Sequence, residues 1–344
     1  MLLNEEFENK SQFLSYLEEA YKNKEVSSLH CSIIIPKAGF SIEELERASY
    51  TRGLKCRIEK KDSDFYKVEF EIRTRGLLGY LIDFKNCWLF FNGGSRQNLS
   101  VVESFVNHLF PLISYSCLPS KMMMQLIEEN KDRYENIIVN EGILCKKGET
   151  IRDWKIDPIN YSISILEREA KKQDAKWTGL SLTYMLNGKE HIKARVYEKG
   201  LLTFYSGSFL DFYESMILTY SNKSIEYGEF FKDKERKSVN GEIRINPIKY
   251  KFKKEIPLDE LNKIKNKILK RYIGGVTSFG NPLLMMQFSD VNDGSSYDLY
   301  AYHDTIEVVP LDKASSASFS KLASFISDNL PLAEMVGGLN IGHT

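Results

Sequence analysis

Cysteine is scarce in this chain, and its few cysteines are widely spaced. The 344 residues contain five of them, an odd number, and none follows position 145. No two form a Cys-x-x-Cys pair, which argues against a metal site. Because free cysteine packs as a small hydrophobic residue, we expect reduced and mostly buried thiols. They are Cys31, Cys56, Cys87, Cys117 and Cys145.

The sequence also lacks a long apolar run. No stretch approaches the roughly 20 residues that a membrane span needs. The first residues include Glu5 and Glu6, where a signal peptide would carry basic residues. With 42% hydrophobic and 27% charged residues, the composition is that of an ordinary globular protein. We therefore predict a cytoplasmic protein without a membrane partner, and the length predicts two or three domains.

Enzyme motifs are absent as well. The chain has no Walker loop, no Gly-x-Gly-x-x-Gly after a strand, no His-Glu-x-x-His and no EF-hand spacing. The turns Gly93-Gly94-Ser95 and Ser206-Gly207-Ser208 lack the lysine of a phosphate loop and are better explained as helix N-terminal turns. The sequence thus supports no enzyme assignment, and we expect no catalytic residue, no cofactor and no metal.

What the chain does contain is a pattern that occurs three times: a hairpin of alternating strands with a tight polar turn, a further strand, and an amphipathic helix. The turns begin at Phe84, Tyr197 and Tyr302, which are 113 and 105 residues apart. Such offsets are too long for a solenoid and are typical of whole small domains. The final helices are predicted over residues 98–113, 209–220 and 316–329.

The first and third copies also share an opening strand and helix. In the first copy the helix follows the Ser41-x-x-Glu44 spacing of a capping box, and in the third it follows Pro257. The opening strands are predicted over residues 30–36 and 248–254, and residues 137–145 and 163–172 are candidates for the opening strand and helix of the second copy. A connecting helix is predicted over residues 117–135, and a polar, charged linker over residues 221–240.

These patterns predict an α+β fold of three tandem units, each an antiparallel sheet with helices on one face. The order of elements resembles one half of the TATA-binding-protein (TBP) fold, a curved sheet with two helices on its convex side. The segment Leu81–Leu109 carries this resemblance, with Ile82–Phe90 followed by Gly93-Gly94-Ser95 and a helix. The predicted units are residues 1–115, 116–237 and 238–344.

Tandem TBP-like units are similar to the N-terminal part of bacterial RNase LS-type toxins. By order of elements, the resemblance covers roughly two thirds of the chain. It implies a component of a bacterial toxin–antitoxin or phage-defence assembly, with a partner protein from that system.

Two departures limit what the resemblance implies. TATA-binding proteins insert phenylalanines from an apolar concave face. Here the strand Tyr66–Arg75 has one apolar side, which we expect under the helices, and one mixed polar side with Glu69 and Glu71. The RNase LS-type toxins resemble HEPN ribonucleases, which use an Arg followed a few residues later by His, and no histidine here has that spacing. We therefore expect neither TBP-style DNA bending nor a ribonuclease centre.

Charge is unevenly distributed, although the net charge is zero. Residues 229–271 contain fourteen Lys and Arg against seven Asp and Glu, whereas residues 272–344 contain two against eight. The period of two in residues 248–254 places lysines on one strand face, about 7 Å apart, which matches phosphate spacing. We predict a nucleic-acid site within residues 244–271. Its residues are Lys249, Lys251, Lys253, Lys263, Lys267, Lys270 and Arg271.

A weaker second candidate combines Lys193 and Arg195 of the second hairpin with Arg73 and Arg75 of the first. Two alternatives to nucleic-acid binding stay open for the basic strand. It is a solvated surface balanced by the acidic last third of the chain, or it binds an acidic partner protein as part of an interaction scaffold.

Overall fold

The computed structural model of this chain contains two compact units. Residues 1–225 form one, the N-terminal unit, and residues 226–344 form the other, the C-terminal unit. The structure describes residues 5–23, 28–37, 39–72, 75–110, 112–146, 149–160, 162–173, 175–232, 237–239, 242–244, 246–280, 283–291, 294–311, 314, 316–330 and 333–336.

The N-terminal unit mixes helices and strands. Its first half comprises α1 (Lys10–Lys22), β1 (Leu29–Pro36), α2 (Ile42–Thr51), β2 (Lys55–Asp62), β3 (Phe65–Ile72), β4 (Arg75–Phe84), β5 (Cys87–Gly93), α3 (Arg96–Leu109) and β6 (Ile113–Tyr115). Its second half comprises α4 (Ser120–Glu129), a 3₁₀ turn (Lys131–Arg133), β7 (Asn136–Lys146), β8 (Glu149–Asn160), α5 (Ile163–Lys172), β9 (Lys176–Leu186), β10 (Lys189–Tyr197), β11 (Leu201–Gly207), α6 (Phe209–Phe212), a π-helical turn (Tyr213–Leu218) and α7 (Thr219–Lys232), which continues into the C-terminal unit.

Local signals explain several of these boundaries. The Glu44 carboxylate accepts a hydrogen bond of 2.9 Å from the Ser41 backbone N–H at the start of α2, as the capping-box spacing predicts. The Ser95 hydroxyl accepts one of 3.1 Å from the Asn98 N–H at the start of α3. These caps satisfy backbone donors that have no partner within the helix.

One antiparallel sheet runs through the described strands of the N-terminal unit, in the order β2-β3-β4-β5-β1-β11-β10-β9-β7-β8, with β6 beside β1. β1 is the junction, because it pairs with β5 on one edge and with β11 on the other. The boundary predicted after residue 115 therefore lies between strands of a single sheet. Pairing with β11 satisfies backbone groups along an edge of β1 that would otherwise be exposed.

Helices α2 and α3 cover one face of this sheet. Tyr66, Val68 and Phe70 of β3 are buried there, which confirms the predicted apolar side of this strand. Phe105 of α3 stacks on Phe70, with ring centroids 4.3 Å apart. This layer forms the first core of the unit.

The opposite face is covered as well, which the sequence did not predict. Phe13 of α1 packs against Phe65, Tyr80 and Phe91, with ring centroids 5.1–5.5 Å apart. Phe209 of α6 also contacts Phe91, at 6.4 Å. The side of β3 that was predicted to be mixed and polar thus begins with a buried Phe65 that contacts Phe13 of α1.

The C-terminal unit is a second α+β body with helices on one face of its main sheet. Its strands follow the order β15-β16-β17-β18-β14-β19, and β12 and β13 form a separate pair. The elements after α7 are β12 (Lys237–Val239), β13 (Glu242–Arg244), β14 (Ile248–Phe252), α8 (Leu258–Arg271), β15 (Ile273–Gly280), β16 (Leu283–Ser289), β17 (Ser296–Tyr302), β18 (Thr305–Pro310), α9 (Ser316–Asn329) and β19 (Ala333–Val336).

The C-terminal unit repeats the order of elements from β1 to β6: strand, helix, four strands, helix, strand. In both segments the first strand lies beside the last of the four in the sheet. The middle segment departs from this order. There β8 precedes the helix α5, and β7 pairs with β8 and β9 instead of β11.

The polar linker predicted over residues 221–240 is wrong for its first part, which is helical to the end of α7. Ser224 is buried, and its hydroxyl donates to a backbone carbonyl one turn earlier. Tyr227 and Phe231, four residues apart, are also buried, and Phe231 packs against Phe319 of α9. The composition is polar, but the aromatic pair gives the helix an apolar stripe.

Candidate nucleic-acid interface

The lysines of β14 lie on the face of the C-terminal sheet that is opposite to its helices. Residues alternate along the strand, so that Ile248, Tyr250 and Phe252 are buried whereas Lys249 and Lys251 are exposed. The Tyr250 hydroxyl donates to a backbone carbonyl of α9, which identifies the buried side as the helix side. The predicted alternation is confirmed for Ile248–Phe252, but the strand ends there and does not include Lys253.

Two tyrosines of β17 share this face with the lysines. One cross-strand row runs from Tyr300 through Glu307 to Lys249, and the next runs from Tyr302 to Lys251. Neighbouring strands are about 4.8 Å apart, and the two rows are about 7 Å apart. Tyr302 is 36% exposed. We call the surface formed by Lys249, Lys251, Tyr300 and Tyr302 the open face.

Each of the two lysines of the open face lies next to a carboxylate. The Lys249 ammonium lies 2.6 Å from the Glu307 carboxylate, and the Lys251 ammonium lies 4.0 Å from that of Asp304. Partial burial opposes ionisation of Glu307, but hydrogen bonds from Lys249 and Tyr302 outweigh it and lower the pKa of this carboxyl. The hydrogen bond from the Tyr302 hydroxyl to Glu307, together with partial burial, raises the pKa of Tyr302 to about 12. Part of the basic strand is therefore balanced by the acidic last third of the chain.

The cations of α8 do not join the open face, because α8 packs on the buried side of the sheet. Lys263 forms an ion pair of 2.7 Å with the glutamate three residues before it, and Lys267 donates to an amide oxygen of α9. The Arg271 guanidinium lies over a phenylalanine of α9, 4.9 Å from the ring centroid, and Lys270 is exposed. The predicted site is thus divided between two surfaces. Lys253, just beyond β14, is exposed.

The second predicted site is also dispersed. Lys193 of β10 is exposed, whereas the Arg195 guanidinium lies 2.5 Å from the Glu141 carboxylate of β7. Arg75 is exposed at the start of β4, and Arg73 lies outside the described residues. Strands β5, β1 and β11 separate β4 from β10, a distance of about 19 Å. These side chains do not form one patch.

A polar row that was not predicted from the sequence crosses the N-terminal sheet, and three of its four residues are buried. Asn92, His30, Thr203 and Arg195 are successive cross-strand partners on β5, β1, β11 and β10. The His30 Nδ1 atom lies 2.9 Å from the Thr203 hydroxyl, and His30 is only 6% exposed. Burial lowers the pKa of this imidazole to about 4. His30 is therefore neutral at physiological pH and acts as a hydrogen-bonding link.

We expect His30 to make the fold sensitive to acid. Its pKa is lower in the fold than in the unfolded chain, so its neutral form stabilises the fold above pH 6.5, and that contribution is lost as the pH falls toward 4. Between pH 7.5 and pH 5, the free energy of unfolding should fall by about 2 kcal/mol more in the native chain than in His30→Gln. Urea unfolding at both pH values measures the difference. Equal pH dependence in both chains would contradict a buried neutral imidazole.

The surroundings of three other reactive side chains, Cys56, Cys87 and His191, indicate structural roles. Burial raises the pKa values of Cys56 and Cys87 to about 12, so these thiols stay protonated. His191 lies 2.5 Å from the Asp211 carboxylate, which joins β10 to α6. The nearby Ser215 hydroxyl donates to a backbone carbonyl. We therefore interpret this His–Asp pair as a structural contact that fixes β10 to α6.

The comparisons with known proteins add no family. No protein-family model matches the chain, and no curated protein matches it either. Within the described residues, no three His, Cys, Asp or Glu side chains are grouped as a metal site would require. None of the described helices combines the length and the apolar character that a membrane crossing needs.

Proposed function

We propose that this chain is a non-catalytic binding protein whose open face binds single-stranded nucleic acid. The observation that carries the proposal is the placement of Tyr300 and Tyr302, two residues apart on one strand, on the same sheet face as Lys249 and Lys251, with β18 between them. Aromatic rings on a sheet stack on unpaired bases, and neighbouring cations contact the phosphates. A single strand is favoured because a duplex keeps its base faces stacked within the helix.

The ion pairs on the open face are weak enough for phosphate to displace one of them. The Lys251–Asp304 pair is 4.0 Å long, and its side chains are 63% and 41% exposed. Exposed pairs of this kind contribute about 0–1 kcal/mol, whereas stacking a base on an aromatic ring contributes about 1–3 kcal/mol. Glu307 holds Lys249 more closely. We therefore assign the main phosphate contact of the open face to Lys251.

Fluorescence anisotropy with labelled single-stranded RNA and DNA of about 12 nucleotides tests this proposal. Tyr302→Ala should weaken binding about tenfold, because it removes one stacking platform. Lys251→Glu should weaken binding and reduce the slope of log affinity against log salt by about one unit or more. No binding at low salt would overturn the proposal.

A matched control separates the open face from general positive charge. Lys270→Glu makes the same charge change in the same unit, on an exposed position of α8. It should alter the affinity far less than Lys251→Glu. Equal losses in the two variants would show that binding follows net charge instead of the open face. The oligonucleotide should be recovered intact, and cleavage abolished by a single substitution would contradict the non-catalytic assignment.

We further propose that the chain consists of three TBP-like units, divided after residues 115 and 237, of which the first two share one sheet. The element order shared by residues 29–115 and 248–336 supports the repeat. By its resemblance to RNase LS-type toxins, such a protein would act as an adaptor in a bacterial toxin–antitoxin or phage-defence assembly. If the open face instead binds an acidic partner protein, the native chain should show no nucleic-acid binding. Any binding elsewhere on the chain should be unchanged in Tyr302→Ala.

A further inference from the structure

The edge strand β15 of the C-terminal unit is unusually exposed and apolar. It pairs with β16 on one side, and no described strand pairs with its other side. Ile273 is 70% exposed, Val276 37% and Phe279 40%. The eight residues, IGGVTSFG, include no charge and no proline. An edge with these properties is a ready template for another strand.

The equivalent edge of the N-terminal unit has the opposite character. β2 also follows the first helix of its segment and also lies at the end of its sheet. Six of its eight residues, KCRIEKKD, are charged. Charged side chains on an edge discourage pairing with other chains. The same position in the repeated order is thus protected at β2 and unprotected at β15.

A bulge in β15 adds one residue to the strand, so the alternation of side chains between the two sheet faces shifts by one residue after it. Val276 is opposite Met286 and Ser278 is opposite Met285, so that Thr277 is the extra residue. Phe279 is on the helix side, since the Lys265 ammonium of α8 lies 4.2 Å from its ring centroid. By register with β16, Gly274, Val276 and Phe279 share the helix side, and Ile273, Gly275, Ser278 and Gly280 share the other side.

This arrangement is complementary to itself. A second β15 can pair with the first in antiparallel orientation, with the twofold axis between Val276 and Thr277. All eight residues then have a partner, and Ile273, Gly274 and Gly275 each face a residue whose side chain lies on the same side of the sheet. Ile273 then faces Gly280, and Phe279 faces Gly274. A Cβ atom at Gly274 would lie 2.3 Å from a carbonyl oxygen of β16, so this position must be glycine, and an aromatic ring on the opposing strand covers it.

We propose that β15 forms a symmetric antiparallel pair with β15 of a second copy of this chain. The occupant is a second copy because the two largest side chains of β15, Ile273 and Phe279, each meet a glycine of the same strand in this register, whereas Val276 meets Thr277. The absence of charge also removes repulsion between identical edges. This interface joins the sheets of two C-terminal units into one and does not depend on nucleic-acid binding.

Sedimentation equilibrium of the full chain without nucleic acid tests the proposal. The native chain should show a monomer–dimer equilibrium, and Val276→Lys should raise its dissociation constant at least about tenfold, because two lysines become neighbours across the axis. Val276→Glu should do the same. An equimolar mixture of the two variants should restore association, which misfolded variants could not do.

Gln287→Lys, an exposed position on the adjacent β16, is the matched control and should leave dimerisation unchanged. Two results would overturn the proposal. One is a native chain that stays monomeric throughout the accessible concentration range. The other is a dimer whose dissociation constant is the same in Val276→Lys as in the native chain.

Discussion

Phe105→Asp should unfold the N-terminal unit or lower its free energy of unfolding by about 5 kcal/mol or more. Phe105 is 3% exposed and stacks on Phe70 in the layer beneath α2 and α3. The substitution removes an aromatic side chain and places a carboxyl group in its position without a polar partner. Circular dichroism during urea unfolding measures the loss, which approaches the whole stability of a typical domain.

Asn107→Asp is the control, because it adds the same carboxylate to an exposed position of α3. It should change stability by no more than about 0.5 kcal/mol. Met216→Asp and Leu322→Asp should be as damaging as Phe105→Asp, since both side chains are fully buried. A Phe105→Asp chain with the same urea midpoint of unfolding as the native chain would contradict the described core.

Phe13→Ala should lower the free energy of unfolding by about 3–5 kcal/mol. Phe13 is fully buried and contacts three aromatic rings of β3, β4 and β5. Removing it leaves a cavity between α1 and the sheet that rigid neighbouring rings cannot fill. Chemical unfolding followed by tryptophan fluorescence provides the measurement.

Ser15→Ala, on the exposed side of the same helix, should be nearly neutral and controls for helix propensity. Similar stabilities for Phe13→Ala and Ser15→Ala would show that α1 does not cover the second face of the sheet. The comparison therefore tests a layer that was absent from the sequence prediction.

Local signals predicted individual elements closely. Helices α5 and α9 occupy the predicted residues, 163–172 and 316–329. The dipeptide Asn187-Gly188 predicts a tight hairpin turn, and both residues have the positive φ angles that such a turn requires, 53° and 69°. The alternation of β14 correctly divided its buried residues from its exposed lysines. Each of these features depends on residues that are close in sequence.

Features that depend on distant pairing could not be predicted in this way. The β1–β11 pairing joins residues about 170 positions apart, and nothing in either strand specifies the other. The polar row through His30 exists only because four such strands align in register. The predicted site grouped the α8 cations with the β14 lysines. That grouping is wrong because α8 packs on the apolar face of the sheet, whereas the β14 lysines lie on the opposite, polar face. The Tyr300 and Tyr302 pair could have been found from the period of two in β17.

Ultraviolet crosslinking of a bound single strand, followed by mass spectrometry of the peptides, tests the central claim most directly. The proposed open face predicts crosslinks to Tyr300 or Tyr302 in β17, lost in the Tyr300→Ala/Tyr302→Ala chain. Crosslinks confined to α8 or to the N-terminal unit, with none in β17, would contradict it.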